Sequence, residues 1–277
     1  MIDADAHLER IRTQFGKQAD VYARMRQTTD ERSLNALVQI SGADAGSRVL
    51  DVACGPGFLT MAFAARCWHA VGVDATEPFL AMARAVAEER GQHNVEFRAG
   101  NAEQLPFGDS SFDLVSCRAA FHHFARPGHV LAEMTRVATQ QGRLLVADML
   151  TSEDPAKAEY HNRMERLCDP SHVRALTVAQ FAQLFAAGGL AMRFNAEVPI
   201  DMEVEEWLAH GGPDESTAAQ IRALIEASID TDRCGLNVRR ENDAIRFTYA
   251  TGVFVLERAA GGTQSERAGD PGASSRT

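Results

Sequence analysis

From Arg48 to Leu150 short apolar runs alternate with helical stretches, and that rhythm constrains this chain more than any other feature. The runs are RVLDVAC, AVGVD, VEFRAG, FDLVSC at 112–117 and GRLLVADML at 142–150. Between them stand LTMAFAARC, PFLAMARAVAEER ending at Gly91, and a helical pattern from about Pro127 to Ala138. The alternation predicts five buried strands in a parallel sheet with crossover helices, an α/β fold.

The flanks read differently. Residues 5–26 have a helical pattern, and TTDERSLNALVQISG follows with a capping-box spacing from Thr28 to Glu31, apolar positions at Leu34, Leu37 and Val38, and Gly42 as the stop. After the fifth strand come a polar helical stretch around Ala156 to Leu167, a helix from Thr177 to Ala187 closed by Gly188 and Gly189, and a strand AMRFNAEV. An acidic helical region, MEVEEWLAH onward to about Ile229, precedes a last strand, AIRFTYATGVFVLE. The closing GGTQSERAGDPGASSRT has almost no large apolar residue to offset its ordering entropy, so a disordered tail is expected over 259–277.

At 277 residues and 45% hydrophobic content the chain can bury one substantial core, and one catalytic domain is expected. Acidic residues outnumber basic ones 38 to 28, a formal charge of -10, which disfavours a nucleic-acid partner. Cys54, Cys67, Cys117, Cys168 and Cys234 are odd in number and widely spaced without a CxxC pair, so neither a metal site nor a disulfide framework is expected. The charged start MIDADAHLERIRTQF lacks the apolar run of a signal peptide, and no later stretch reaches membrane-spanning length without charges. A cytoplasmic protein with reduced thiols is the expectation.

Where the first strand ends, VLDVACGPGFLT (49–60) puts Asp51 inside an apolar run and Gly55 and Gly57 at the turn into the next helix. Glycines two apart let the backbone turn tightly and approach a ligand with no Cβ in the way. Amides exposed at such a helix start favour an anionic group. Taken alone, these residues serve a plain strand-to-helix turn as readily. A dinucleotide fingerprint needs a third glycine, and Thr60 stands at that place. The second strand ends in VGVDAT, where the Asp74 carboxylate can accept both hydroxyls of an adenosine ribose. Capping the helix that opens at Glu77 and Pro78 is the other use for Asp74, one that Thr76 fills equally well.

DVACGPGFLT, GVDAT, GNAEQLPFGDSSFDLVSCRAAFHHF and EMTRVATQQGRLLVADM, in this order and spacing over residues 48–150, resemble the class I S-adenosylmethionine-dependent methyltransferases. They are most similar to the ubiquinone and menaquinone biosynthesis C-methyltransferase type. The resemblance implies a Rossmann-like seven-stranded mixed sheet with helices on both faces and the last strand antiparallel. It implies a helical lid over 1–44, an S-adenosylmethionine-binding domain over 45–258 and a helical cap inserted at about 200–240, before the last strand. It assigns Asp51, Ala53, Gly55 and Gly57 to the methionine end of S-adenosylmethionine, Asp74 and Ala75 to the ribose, Asn101 and Ala102 to the adenine edge, and Arg118 to the methionine moiety. This sequence departs from the family in having Ala53 for the first glycine, Asn101 for the usual aspartate, and Gly142 with Arg143 for a glycine pair before strand five. Asparagine still donates and accepts, at the loss of one charge-assisted bond. QFGKQADVYARM is similar to the family's lid helix, whose tyrosine, here Tyr22, closes over the cofactor; packing of an amphipathic helix explains the segment as well.

Methyl transfer from a sulfonium is an in-line displacement, so alignment in a dry pocket supplies most of the catalysis. A base is needed where the acceptor must lose a proton. His122 and His123 in FHHF follow strand four at the sheet's carboxyl edge, and imidazole titrates at about 6.5, which suits base work at neutral pH. Packing is the competing role for both. In CDPSHVR, Asp169, His172 and Arg174 are candidates to line the acceptor pocket, while Asp169 with Pro170 equally suits a helix start. Cys117 reads as a buried structural cysteine, and Trp207 either covers an aromatic acceptor or anchors its helix. The expected activity is methyl transfer to a small molecule such as a quinone precursor, a phenolic or heterocyclic metabolite or a natural-product intermediate. A nicotinamide-dependent oxidoreductase and a non-catalytic S-adenosylmethionine-binding protein are the alternatives. A homodimer is compatible with the sequence but not specified by it.

Overall fold

The computed structural model describes residues 3–22 and 29–259. Two helices, α1 (Ala4–Tyr22) and α2 (Glu31–Ser41), precede the sheet. The strands β1 (Arg48–Val52), β2 (His69–Asp74), β3 (Val95–Ala99), β4 (Phe112–Arg118) and β5 (Ala138–Met149) run parallel in the order β3-β2-β1-β4-β5. The crossovers are α3 (Phe58–Ala64), α4 (Glu77–Glu89) and, after β4, α5 (Pro127–Val137). The chain winds outward from β1 in one direction and then, from β4, in the other. That reversal opens a crevice at the carboxyl ends of β1 and β4, the place where open α/β sheets bind ligands.

Beyond β5 the sheet is antiparallel. After α6 (Pro155–Cys168) and α7 (Val178–Ala187), β6 (Leu190–Glu203) forms one edge, and β8 (Ala244–Arg258) inserts between it and β5. The seven strands expected are joined by an eighth, β7 (Arg239–Glu241), a short hairpin partner of β8. The chain reverses there through Asn242 at φ 54, a left-handed conformation that asparagine tolerates well, and three polar residues carry no apolar pattern by which a strand could be read.

Both faces of the sheet are covered, as the uniform apolarity of its strands requires. Along β5, Leu144 and Val146 face a cluster with Leu131, Met134, Phe181 and Phe185 from α5 and α7. Leu145 and Ala147 face the opposite cluster, with Leu34, Val38, Leu59 and Phe63 from α2 and α3. The period of two in a strand divides neighbours between the two layers.

Caps set the helix limits. Gly42 at φ 73 closes α2 as expected, whereas its start is capped by Asp30, whose carboxylate accepts the Ser33 N–H at 2.9 Å. The expected Thr28 lies outside the described residues, as does the tail from 260 on. Thr177 and Gln180 form a reciprocal capping box at the start of α7.

A third cluster lies past the carboxyl edge. There α6, α8 (Val204–Gly211) and α9 (Glu215–Glu226) bury Met164, Trp207, Ile221 and Ile225 against Phe247 of β8. Helix α1 spans the same edge: Phe15 stacks at a tilt on Phe79 of α4, and the Gln14 and Gln18 amides both donate to the Gly211 carbonyl. Among the described residues no helix is long and apolar enough to cross a membrane.

Candidate active site

The ends of β1, β2, β4 and β5, roofed by α1 and α8, enclose a cavity of about 290 Å³. Asp51 is buried in β1 at its floor. The Thr60 hydroxyl donates to one carboxylate oxygen and the Ser116 hydroxyl to the other, each at 2.7 Å. Burial pushes the Asp51 carboxyl up to about 6, against those two hydrogen bonds and the nearby Arg118 charge. Thr60, noticed in the sequence only for not being glycine, is thus a support for Asp51.

The backbone then turns through Ala53 at φ 55, Gly55 at φ 53 and Gly57 at φ 78. At Ala53 the left-handed conformation costs about 1–2 kcal/mol that glycine would not incur. A Cβ on Gly55 would meet open space, and Gly55 lines the cavity. Gly57 does not line it. A Cβ there would fall 2.5 Å from the Phe97 ring and 2.9 Å from Ala83, so this glycine lets α3 approach β3 and α4.

Asp74, buried at the tip of β2, accepts the Gly55 N–H on one oxygen and the Thr76 N–H on the other, both at 2.8 Å. Burial raises its pKa against these bonds. The Thr76 hydroxyl and the Ala75 N–H act on the same carboxylate and lower its pKa as well. Ala53, Ala75, Asn101, Ala102 and Arg118 also line the cavity. Asn101 Oδ1 accepts the Glu103 N–H at 2.9 Å, which leaves its amide NH₂ to donate. Tyr22 closes α1, and its side chain lies outside what the structure describes.

Toward the far end, the short helical turn Phe121–His123 is held by Asp148 of β5. One Asp148 oxygen accepts the Ala120 and Phe121 N–H groups at 2.7 and 2.8 Å, and the other lies 2.7 Å from His122 Nδ1. An ionised carboxylate only accepts, so Nδ1 carries the proton and Nε2 is the basic end. Burial pulls the His122 pKa down, and the Asp148 charge and hydrogen bond, with the Glu165 and Asp169 charges, more than reverse this, leaving it raised. His122 and His123 both line the cavity. His123 Nδ1 donates to the Ser171 carbonyl at 3.1 Å, and burial with the His122 charge lowers its pKa to about 4.

The fold joins FHHF to CDPSHVR: the Val173 and Arg174 N–H groups donate to the His122 carbonyl, and the His122 and His172 rings lie 5.5 Å apart. His172 itself does not line the cavity. Its Nε2 donates to Asn162 Oδ1 at 2.8 Å, and burial drives its pKa far down, so it stands as a neutral packing partner behind His122. Arg174 is exposed. Asp169 starts no helix; it caps the end of α6, accepts the Ser171 N–H and hydroxyl, and lines the cavity. Trp207 packs edge-on against Phe247 and also lines the cavity, and Cys117 is buried in the core with its thiol pKa raised by burial.

Sequence reading missed Asp148, Glu165, Tyr249 and the α1 residues His7 and Phe15. Asp148 had a usable signal: LLVADML carries a carboxylate in a buried strand, as VLDVA does for Asp51.

A family model described as a methyltransferase domain matches residues 43–199. The chain belongs to the methyltransferase-domain family. This S-adenosylmethionine-dependent methyltransferase is 34% identical over 221 residues to the uncharacterized methyltransferase YcgJ of Bacillus subtilis (strain 168), across 80% of this chain and 87% of that one. The crystal structure of YcgJ matches with a TM-score of 0.76 at 32% identity, covering 83% of this methyltransferase and 99% of YcgJ. The ubiquinone/menaquinone biosynthesis C-methyltransferase UbiE of Pseudomonas fluorescens (strain Pf0-1) is 30% identical over 176 residues, 61% of this chain and 67% of UbiE. Family membership removes the nicotinamide-dependent oxidoreductase as an alternative.

Proposed function

We propose that this methyltransferase transfers the methyl group of S-adenosylmethionine to a hydroxyl or amine of a small organic acceptor, with His122 as the base. One observation carries the reading: a single cavity has the Asp74 carboxylate and the Gly55 turn at one end and the His122–Asp148 pair at the other. The residues suit the donor molecule. The Asp74 carboxylate at the cavity wall suits ribose hydroxyls, the open space over Gly55 admits backbone approach, the Asn101 NH₂ would be able to donate to an adenine edge, and Asp51 with Arg118 offers charges of both signs to an amino-acid end.

When bound, S-adenosylmethionine supplies an electrophilic methyl on a sulfonium that departs as a neutral thioether. Everything else falls to the protein. His122 Nε2 takes the proton that the acceptor oxygen or nitrogen loses as its lone pair forms the new bond to carbon. Asp148 fixes the tautomer and stabilises the imidazolium that results. His123 and His172, held neutral by burial, orient that ring rather than compete for the proton. The roof of α1 and α8 keeps water out and limits the acceptor to a small molecule.

Titration calorimetry with S-adenosylhomocysteine, with NADH as control, followed by methyl incorporation into hydroxyl- and amine-bearing acceptors, tests the proposal. Binding of the adenosyl ligand with turnover supports it. Binding without turnover on any acceptor points to the non-catalytic alternative, and no binding removes it.

A further inference from the structure

Two carboxylate–imidazole pairs converge on the cavity with opposite ends forward. In one, Asp148 stands behind and His122 lines the wall. In the other, Glu165 lines the wall and His161 stands behind it, 1% exposed, with Nε2 3.3 Å from Glu165 Oε1. The Glu165 carboxylate only accepts, so His161 Nε2 carries the proton toward it, and the Thr151 hydroxyl donates to His161 Nδ1 at 3.1 Å. In the last turn of α6, Glu165 is 9% exposed at its side chain, and the C-cap Asp169 one turn further on is also buried against the cavity.

Among the described residues neither carboxylate has a lysine or arginine within salt-bridge distance. Among the described residues no lysine lines the cavity, and Arg118, the single arginine that does, exerts its charge on Asp51, Tyr249 and Asp30. The cavity that Glu165 lines also presents Met149, Met202, Trp207 and Tyr249, and the Glu165 charge acts on Tyr249, Cys168 and His122. A buried carboxylate without a cation costs free energy that an arriving positive charge recovers, and flanking aromatic rings favour the same charge. An anionic acceptor would face Glu165 and Asp169, neither of which has a lysine or arginine within salt-bridge distance among the described residues.

Granted the heteroatom methylation proposed above, we infer that the acceptor carries a cationic nitrogen on an apolar body and that Glu165, oriented by His161, is the residue that receives it. A matched pair of probes tests this. Tyramine and 3-(4-hydroxyphenyl)propanoate share a phenol and a two-carbon arm and differ in ending in an ammonium or a carboxylate. Each is titrated into protein saturated with S-adenosylhomocysteine. Tyramine is expected to bind at least about tenfold more tightly. Glu165→Gln should bring the two affinities close together, and His161→Ala, which keeps the charge but frees its direction, should reduce the ratio part of the way, both with unchanged S-adenosylhomocysteine affinity. Equal or tighter binding of the propanoate, binding of neither probe, or a ratio unmoved in Glu165→Gln overturns the inference. So does a Glu165→Gln protein that loses S-adenosylhomocysteine affinity as much as tyramine affinity, since the carboxylate would then serve the donor. Failure of the unmodified protein to bind S-adenosylhomocysteine at all would instead strike the function proposed above.

Discussion

Asp51 shows how a binding site is held at a cost to stability. Its folded pKa near 6 lies above the ordinary aspartate value of 3.8, so the folded protein prefers the proton and stability falls as pH rises from about 4 to 6. Asp51→Asn removes that penalty. The variant should be more stable than the parent by about 3 kcal/mol above pH 6, with the gain vanishing by about pH 4, while binding S-adenosylhomocysteine more weakly. Urea denaturation at several pH values checks the first part and calorimetry the second; a destabilised variant at pH 7 would contradict it. His122 is tuned the other way from its neighbours. An NMR titration of its ring should give a pKa above the ordinary imidazole value, and a lower one in Asp148→Asn, where burial is opposed only by the Glu165 and Asp169 charges. With an acceptor in hand, activity should rise with pH through the His122 value, and Asp148→Asn should lower the plateau by about 100-fold or more.

At the scale of elements, the turn from β1 into α3 separates two glycines that look alike in the sequence. Gly57→Ala forces a methyl into Phe97 and Ala83 at a left-handed position and should cost roughly 2–5 kcal/mol of stability. Gly55→Ala meets no atom of the protein and should cost only about 1–2 kcal/mol while its methyl enters the cavity and weakens S-adenosylhomocysteine binding. Denaturation and titration of both variants would show the opposite ranking if the assignment were wrong. The helices of the roof meet at one carbonyl, Gly211, shared by Gln14 and Gln18. His7 adds a hydrogen bond to the His123 carbonyl and Arg12 one to the Ala75 carbonyl, so α1 is tied to the turn after β4 and to the segment after β2 as well as to α8. Replacing Gln14 and Gln18 together by alanine should speed release of S-adenosylhomocysteine in stopped-flow measurements and leave the sheet's stability unchanged.

For the whole molecule, binding at a site built from four strand ends and two helices couples ligand affinity to global stability. S-adenosylhomocysteine at a hundred times its Kd should stabilise the fold by about 2.7 kcal/mol. For a chain of this length that raises Tm by roughly 5–10 °C, with no shift from NADH. Thermal denaturation with each ligand reads this directly.

What the sequence determined by itself is what neighbours in sequence decide. The parallel half of the sheet, the glycine turn, Asp51 and Asp74 at strand tips, and the imidazoles after strand four were legible because strand periodicity and turn chemistry act within a few residues. The split between Gly55 and Gly57 was not legible, since it depends on Phe97 and Ala83 arriving from other elements. His122 finds Asp148 only through the register of β4 on β5, and Glu165 reaches the cavity, while His172 does not, only through the way α6 and the segment after it pack on that edge. Strand count failed at β7, where three polar residues pair only because β8 is long enough to fold back on. Local pattern thus chose the scaffold and the Asp51 and Asp74 end of the cavity. Which charged side chain backs which, and which line the cavity, is settled by long-range packing, because burial and partner together set each group's protonation, and neither exists until the chain has folded.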